Sequence, residues 1–166
     1  MIINCIIIDD EPLAINVIKN HLLEIDKVNI IDTFNSAIEA LNFLKENTVD
    51  LIFLDINMPL LDGINFIKSL ERKPLIIITS AYDEYAVKTY ELEVLDYLVK
   101  PISFPRFLKA INRARKETDS NSSTNNLKIT KREHLFIKVD KKKMQKIYLD
   151  EILVIESLRD YLKIST

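Results

Sequence analysis

At 166 residues, 48% hydrophobic and 29% charged, the chain reads as a globular protein longer than one typical domain and short of two. One glycine excludes a phosphate-cradling P-loop and a dinucleotide fingerprint, which need several for tight turns and close backbone approach; two histidines and one cysteine leave no zinc cluster. The formal charge of −2 hides an asymmetry: residues 1–126 carry 13 Lys+Arg against 19 Asp+Glu, whereas 127–166 carry 10 against 6. No apolar stretch reaches the roughly 18 residues of a membrane span and no basic segment opens a signal peptide, so the expected location is the cytoplasm, with no membrane partner.

Apolar runs rich in Ile and Val recur at Ile6–Ile8, Ile30–Ile31, Leu51–Leu54, Leu75–Ile78 and Val94–Val99. Cys5, inside the first, has no disulfide partner and is expected to pack as a small hydrophobe. Between the runs lie helical patterns. Leu13, Val17, His21 or Leu22 and Ile25 keep the i, i+4 spacing of a buried face, with Pro12 placed where a first turn tolerates it. His21 reads as a core or boundary residue, not a catalytic base. Ala37, Leu41 and Leu44 follow, capped by Ser36 or Asn35; then Ile64, Ile67 and Leu70 follow Gly63, which allows a tight loop after the third strand. Glu84–Glu91 is a weak helix, and Phe104, Phe107, Leu108, Ile111 and Ala114 form the last stripe. Strand–helix alternation, five times over, predicts an α/β fold with a parallel sheet covered on both faces.

Thr118–Asn126 contains no apolar residue and is expected to be a flexible linker. Beyond it Leu135–Val139, Gln145–Leu149, Leu153–Glu156 and Tyr161–Ser165 look like short strands, with turns at Asp140–Lys143 and Ser157–Asp160. The domains expected are therefore 1–116, a linker at 117–126, and a partial, mostly β segment over 127–166. Forty residues are few for an independent core.

Three segments carry chemistry: Asp9-Asp10-Glu11-Pro12 after the first run, Asp55 after the third and Lys100-Pro101 after the fifth. Alone, an acidic pair after a strand is a helix cap or solvated turn, and a lysine before proline is a surface lysine. At the carboxyl ends of parallel strands, however, these residues meet on one edge, where open α/β sheets bind ligands. Clustered Asp9, Asp10 and Asp55 would repel one another unless a cation sat among them, and hard oxygen ligands favour Mg²⁺ or Mn²⁺. A carboxylate is a competent nucleophile toward a good phosphoryl donor. Lys100 supplies a fixed positive charge for the phosphoryl oxygens, and Thr79, directly after the fourth run, a hydroxyl; Ser80 is its competitor.

DDEP at 9–12, LDINMPLLDG at 54–63, ITSAYDEYA at 78–86 and LDYLVKP at 95–101 closely resemble the receiver domain of two-component response regulators. The resemblance covers residues 1 to about 116 and implies a flavodoxin-like five-stranded sheet in the order 2-1-3-4-5. It implies that Asp55 is the phosphoacceptor, supplied by a sensor histidine kinase, and that Asp10, Asp55 and the backbone carbonyl of Asn57 hold Mg²⁺, with Asp9 acting through a metal-bound water. By the same resemblance Lys100 pairs with the phosphate, Thr79 is the switch hydroxyl and Tyr97 the switch aromatic. It further implies a homodimer through the surface of the fourth helix, fifth strand and fifth helix. The Lys100–Pro101 bond is expected to be cis, although only ~5–6% of X-Pro bonds are.

AYDEYA and the tail ILVIESLRDYLKI resemble the LytTR-type branch, whose output is a mostly β DNA-binding domain. The tail matches only the beginning of that domain, so residues 127–166 are expected to be its N-terminal part, cut short and unable to select a DNA site. Arg159 is a candidate DNA contact, and Lys141-Lys142-Lys143 a solvated turn. Not an enzyme, then, but a phosphorylation-switched regulator of transcription. Its rivals are a receiver with a protein-interaction output and a Mg²⁺-dependent aspartyl-phosphate phosphatase, whose usual Asp-x-Asp after the first strand is absent.

Overall fold

The structure is a computed structural model that describes residues 2–82, 92–123, 134–140, 143–148, 154–158 and 161–165. Five strands, β1 (Ile3–Ile8), β2 (Val28–Phe34), β3 (Leu51–Asp55), β4 (Leu75–Ser80) and β5 (Asp96–Val99), pair in parallel in the order β2-β1-β3-β4-β5. Four described helices, α1 (Pro12–Leu23), α2 (Ala37–Glu46), α3 (Gly63–Ser69) and α4 (Phe104–Ser123), join or follow them. The expected sheet and its order are both present.

Successive strand side chains point to opposite faces, so a run apolar at every position must be covered on both. Cys5, Ile7, Leu51, Phe53, Ile77 and Leu98 pack on one face with Ile15, Ile18 and Leu22 of α1 and Phe107, Ile111 and Ala114 of α4. Ile6, Ile8, Ile52, Leu54, Ile76, Ile78 and Tyr97 pack on the other with Ala37, Ala40, Phe66 and Ile67 of α2 and α3. Cys5 is fully buried as expected, and burial pushes its thiol up to about 12, which leaves it inert.

The buried face of α1 is only partly the one read from the sequence. Leu22 and Ile25 are buried as expected, but Leu13 and Val17 are exposed, and Ile15 and Ile18 turn inward in their place. Two apolar stripes share this helix, and the sheet selects the one rich in Ile, which matches the Ile and Phe side chains of β1 and β3. Residues 117–123 of the expected linker are helical instead, because α4 continues through Ser123. Propagating a formed helix costs little per residue even through polar sequence, and the Thr118 hydroxyl bonds back to the Ala114 carbonyl at 2.9 Å.

Further on, β6 (His134–Asp140) pairs antiparallel with β7 (Lys143–Tyr148), and β8 (Val154–Leu158) with β9 (Tyr161–Ser165). These hairpins cover most of the four strands expected there, but Asp140, Lys143 and Ser157, expected in turns, lie in β6, β7 and β8, and Leu149 and Leu153 lie outside the described residues. The weak helix at 84–91, Arg159 and the linker residues past Ser123 lie outside the described residues.

Candidate functional site

Parallel strands deliver their carboxyl ends to one edge, and the order 2-1-3-4-5 opens a crevice between β1 and β3, whose connections leave in opposite directions. Asp9 directly follows β1 and Asp55 ends β3, so the two carboxylates flank that crevice. Thr79 is the register partner of Asp55 on β4. Lys100 directly follows β5, and its amide donates to the Ser80 carbonyl at 2.7 Å. The Lys100–Pro101 bond is cis, as expected.

Side-chain geometry makes a cluster of these positions. Lys100 Nζ stands 2.8 Å from Asp9 Oδ2 and 2.8 Å from Asp55 Oδ1, with Glu11 Oε2 at 4.0 Å. Asp55 Oδ2 accepts the Asn57 amide at 2.6 Å and Asp9 Oδ1 the Glu11 amide at 3.0 Å. Asp9 and Asp55 are 0% and 4% exposed, whereas Asp10 lies on the exposed side. Asp9 Oδ2 meets the Lys100 ammonium at 2.8 Å, whereas the buried Thr79 Oγ1 has no hydrogen-bond partner. The Ser80 hydroxyl, by contrast, accepts the Tyr82 amide at 3.2 Å. Of the two hydroxyls, Thr79 is the unengaged one.

The electrostatics are strained in a consistent direction. Burial raises the Asp9 carboxyl above its ordinary 3.8; the Lys100 and Glu11 hydrogen bonds oppose this incompletely, and the Asp55 charge reinforces it. Burial works against the Lys100 ammonium too, but its hydrogen bonds to Asp55 and Asp9 and their charges outweigh it and hold the lysine above 10.5. Two near-buried carboxylates thus share one ammonium, which leaves acidic lone pairs without a counter-charge.

Gly63 is explained differently from the sequence reading. Its φ is not positive. A Cβ there would overlap the Asp55 carbonyl oxygen and lie 3.0 Å from Ile56 Cα, so the glycine serves close approach of α3 to the Asp55 backbone. Its amide donates to the Ile56 carbonyl at 2.9 Å. Ser36 takes the N-cap position of α2 but makes no side-chain cap bond, while the neighbouring Asn35 amide donates to the Asp9 carbonyl at 3.0 Å. Tyr97 is buried, and its hydroxyl donates to the Tyr82 carbonyl.

A second charged cluster went unread in the sequence. Asp96, 0% exposed, accepts Arg106 Nη2 at 2.6 Å and the Tyr97 amide at 2.9 Å on Oδ1, and Arg106 Nη1 at 2.9 Å on Oδ2. Arg106 also donates to the Tyr97 carbonyl at 2.9 Å, and Arg113 Nη1 lies 3.2 Å from Asp96 Oδ2. Inside an apolar strand such an aspartate gives no sequence signal beyond its misfit, and the arginines sit on a helix ten and seventeen residues later.

A parallel 2-1-3-4-5 sheet with paired acids and a lysine on its carboxyl edge defines a class. The response regulator receiver domain family matches residues 5–112, and the chain belongs to it. Within that class its relatives include the sensory transduction protein LytR of Staphylococcus haemolyticus, 37% identical over 125 residues, 74% of this chain and 49% of that protein. The transcriptional regulatory protein BtsR of Escherichia coli K12 is 37% identical over 117 residues, 69% of this chain and 49% of that protein. Both are of the LytTR type. Among solved structures, the response regulatory domain of mrkE from Klebsiella pneumoniae matches with a TM-score of 0.63 at 35% identity, covering 73% of this chain and 99% of that one. The chain spans about half the length of the curated relatives it matches. Among the described residues no helix is long and apolar enough to cross a membrane, and no group of three or more His, Cys, Asp or Glu is arranged to hold a metal ion.

Proposed function

We propose that Asp55 accepts a phosphoryl group from a sensor histidine kinase and thereby switches a transcriptional regulator. The observation that carries this reading is the Asp55 carboxylate, at the mouth of the crevice, with Lys100 and the Asn57 amide on its oxygens and the unengaged Thr79 hydroxyl beside it in register. An Asp55 oxygen attacks phosphorus, the bond from phosphorus to the donor nitrogen breaks, and that nitrogen leaves with the electron pair. The chain's own residues then position and neutralise charge. Lys100 shifts from pairing carboxylates to pairing phosphoryl oxygens, and Thr79 supplies a donor.

The donor set suits Mg²⁺, with Mn²⁺ as substitute: the oxygens are hard, no nitrogen or sulfur competes, and near-buried Asp9 and Asp55 share one ammonium between two negative charges. Asp10, Asp55 and the Asn57 carbonyl would hold the ion, with Asp9 acting through a bound water. When bound, the cation supplies the counter-charge for carboxylates and phosphoryl group together. Rearrangement of Thr79 and Tyr97 would then bias the surface that includes β5 and α4 toward a homodimer, a population shift between two states.

Residues 1–116 form the receiver in this reading, and 127–166 begin a LytTR-like output whose partner is DNA, with Arg159 a contact. The name of BtsR, a transcriptional regulatory protein, supports transcriptional control, and a cytoplasmic location belongs to the same proposal. Incubation with a small acyl phosphate and Mg²⁺, followed by intact mass, tests the site. Wild type should gain one phosphoryl group, Asp55→Ala none, and chelation of divalent cations should abolish the gain. Undiminished labelling of Asp55→Ala would overturn the assignment.

A further inference from the structure

His21 sits in the last turn of α1, with its Nε2 2.9 Å from the Ile102 carbonyl oxygen. A carbonyl only accepts, so the ring carries a proton on Nε2 and donates it. The imidazole packs at 5.5 Å from the Phe104 ring and 5.1 Å from the Phe107 ring, which fixes its plane. Ile102 is two residues beyond Lys100. The segment Lys100–Ile102 is therefore held at one end by β4, through the Lys100 amide on Ser80, and at the other by α1, through His21.

The first turn of α1 bears on the same site. Helix α1 starts right after Asp9-Asp10-Glu11, and the Glu11 carbonyl accepts the Ala14 and Ile15 amides at 3.0 and 3.2 Å. One rigid helix thus carries the acidic loop at its start and grips the lysine loop near its end. We infer that His21 is a positioning residue that registers the Lys100 ammonium against Asp9 and Asp55. Its hydrogen bond fixes the chain two residues past Lys100, and with the Lys100 amide on Ser80 it sets the backbone from which Nζ comes within 2.8 Å of both carboxylates. The role in phosphoryl transfer rests on the function proposed above; the role in placing Lys100 does not.

Two replacements separate the donor from the ring. His21→Phe keeps the aromatic packing and loses the N–H, whereas His21→Gln keeps a side-chain N–H and loses the ring. The Lys100 ammonium, followed by ¹H–¹⁵N NMR without phosphoryl donor, should shift and broaden in His21→Phe and return toward wild type in His21→Gln. Labelling of Asp55 by acyl phosphate should slow about three- to tenfold in His21→Phe, the range spanned by one hydrogen bond, and largely recover in His21→Gln. In a Lys100→Ala background the same His21→Phe change should cost less than about twofold, since coupled residues are not additive. An unmoved Lys100 resonance in His21→Phe, or an equal loss with and without Lys100, would overturn the inference. If wild type takes no label, the phosphoacceptor reading fails and the Lys100 resonance still decides the positioning role.

Discussion

Two buried aspartates, Asp9 beside the lysine and Asp96 at the other end of the strand that carries it, live in opposite circumstances. Asp96 meets two guanidinium groups and a backbone amide, and both of its oxygens accept well-formed hydrogen bonds. Asp9 shares a single ammonium, that of Lys100, with Asp55. Both carboxylates are 0% exposed, so burial does not distinguish them. What differs is the balance of charge. Two guanidinium groups meet one carboxylate where α4 is fastened to β5, whereas at the crevice two carboxylates meet one ammonium, which leaves net negative charge there.

The comparison is broken most sharply at Asp96. Asp96→Ala strands Arg106, Arg113 and the Tyr97 amide; because the arginine side chains are 25% and 34% exposed and regain some water, the loss should fall at the low end for a broken buried pair, about 3 kcal/mol. Urea unfolding followed by circular dichroism measures it, and a loss below about 1 kcal/mol would show the cluster to be ornamental to stability.

Asp9→Asn should act in the opposite sense. A carboxyl whose pKa is raised on folding costs stability once it ionises, so the neutral amide should stabilise the fold at neutral pH by on the order of 1 kcal/mol. The sign requires that this gain shrink as the pH falls and vanish below 3.8, where the wild-type carboxyl is protonated both folded and unfolded. Stability curves of the two proteins against pH should therefore converge on the acid side. Parallel curves would mean that the Asp9 charge is already compensated.

Thr79→Val should change stability least, by no more than about 0.5 kcal/mol, because a buried hydroxyl without a partner contributes no hydrogen bond to lose. Its effect should appear instead in the lifetime or the conformational response of the labelled protein. A thermal-melt loss exceeding about 1 kcal/mol would move Thr79 into the same category as Asp96.

The sheet was legible because its strands are short, Ile-rich and punctuated by charge, and because parallel topology forces their ends together. Asp55, Lys100 and Thr79 could be placed from that logic alone. The working face of α1 could not: Leu13 and Val17 make as good a stripe as Ile15, Ile18 and Leu22, and only the shape of the sheet decides between them. Arg106 and Arg113 carry no sequence signal of their partner, since a contact with Asp96 ten and seventeen positions away is a property of packing. The extension of α4 to Ser123 escaped notice because composition marks where helices are weak, not where a formed helix stops.

Gly63 gives the site a tolerance set by a single hydrogen atom. The chain has no other glycine, and it spends this one where the start of α3 rests on the backbone of Asp55. Every other residue type begins with a carbon that would have to displace the Asp55 carbonyl, and with it the carboxylate that Lys100 and Asn57 hold in place. The aim of that carboxylate is thus machined from behind, by a residue that never touches whatever binds in front.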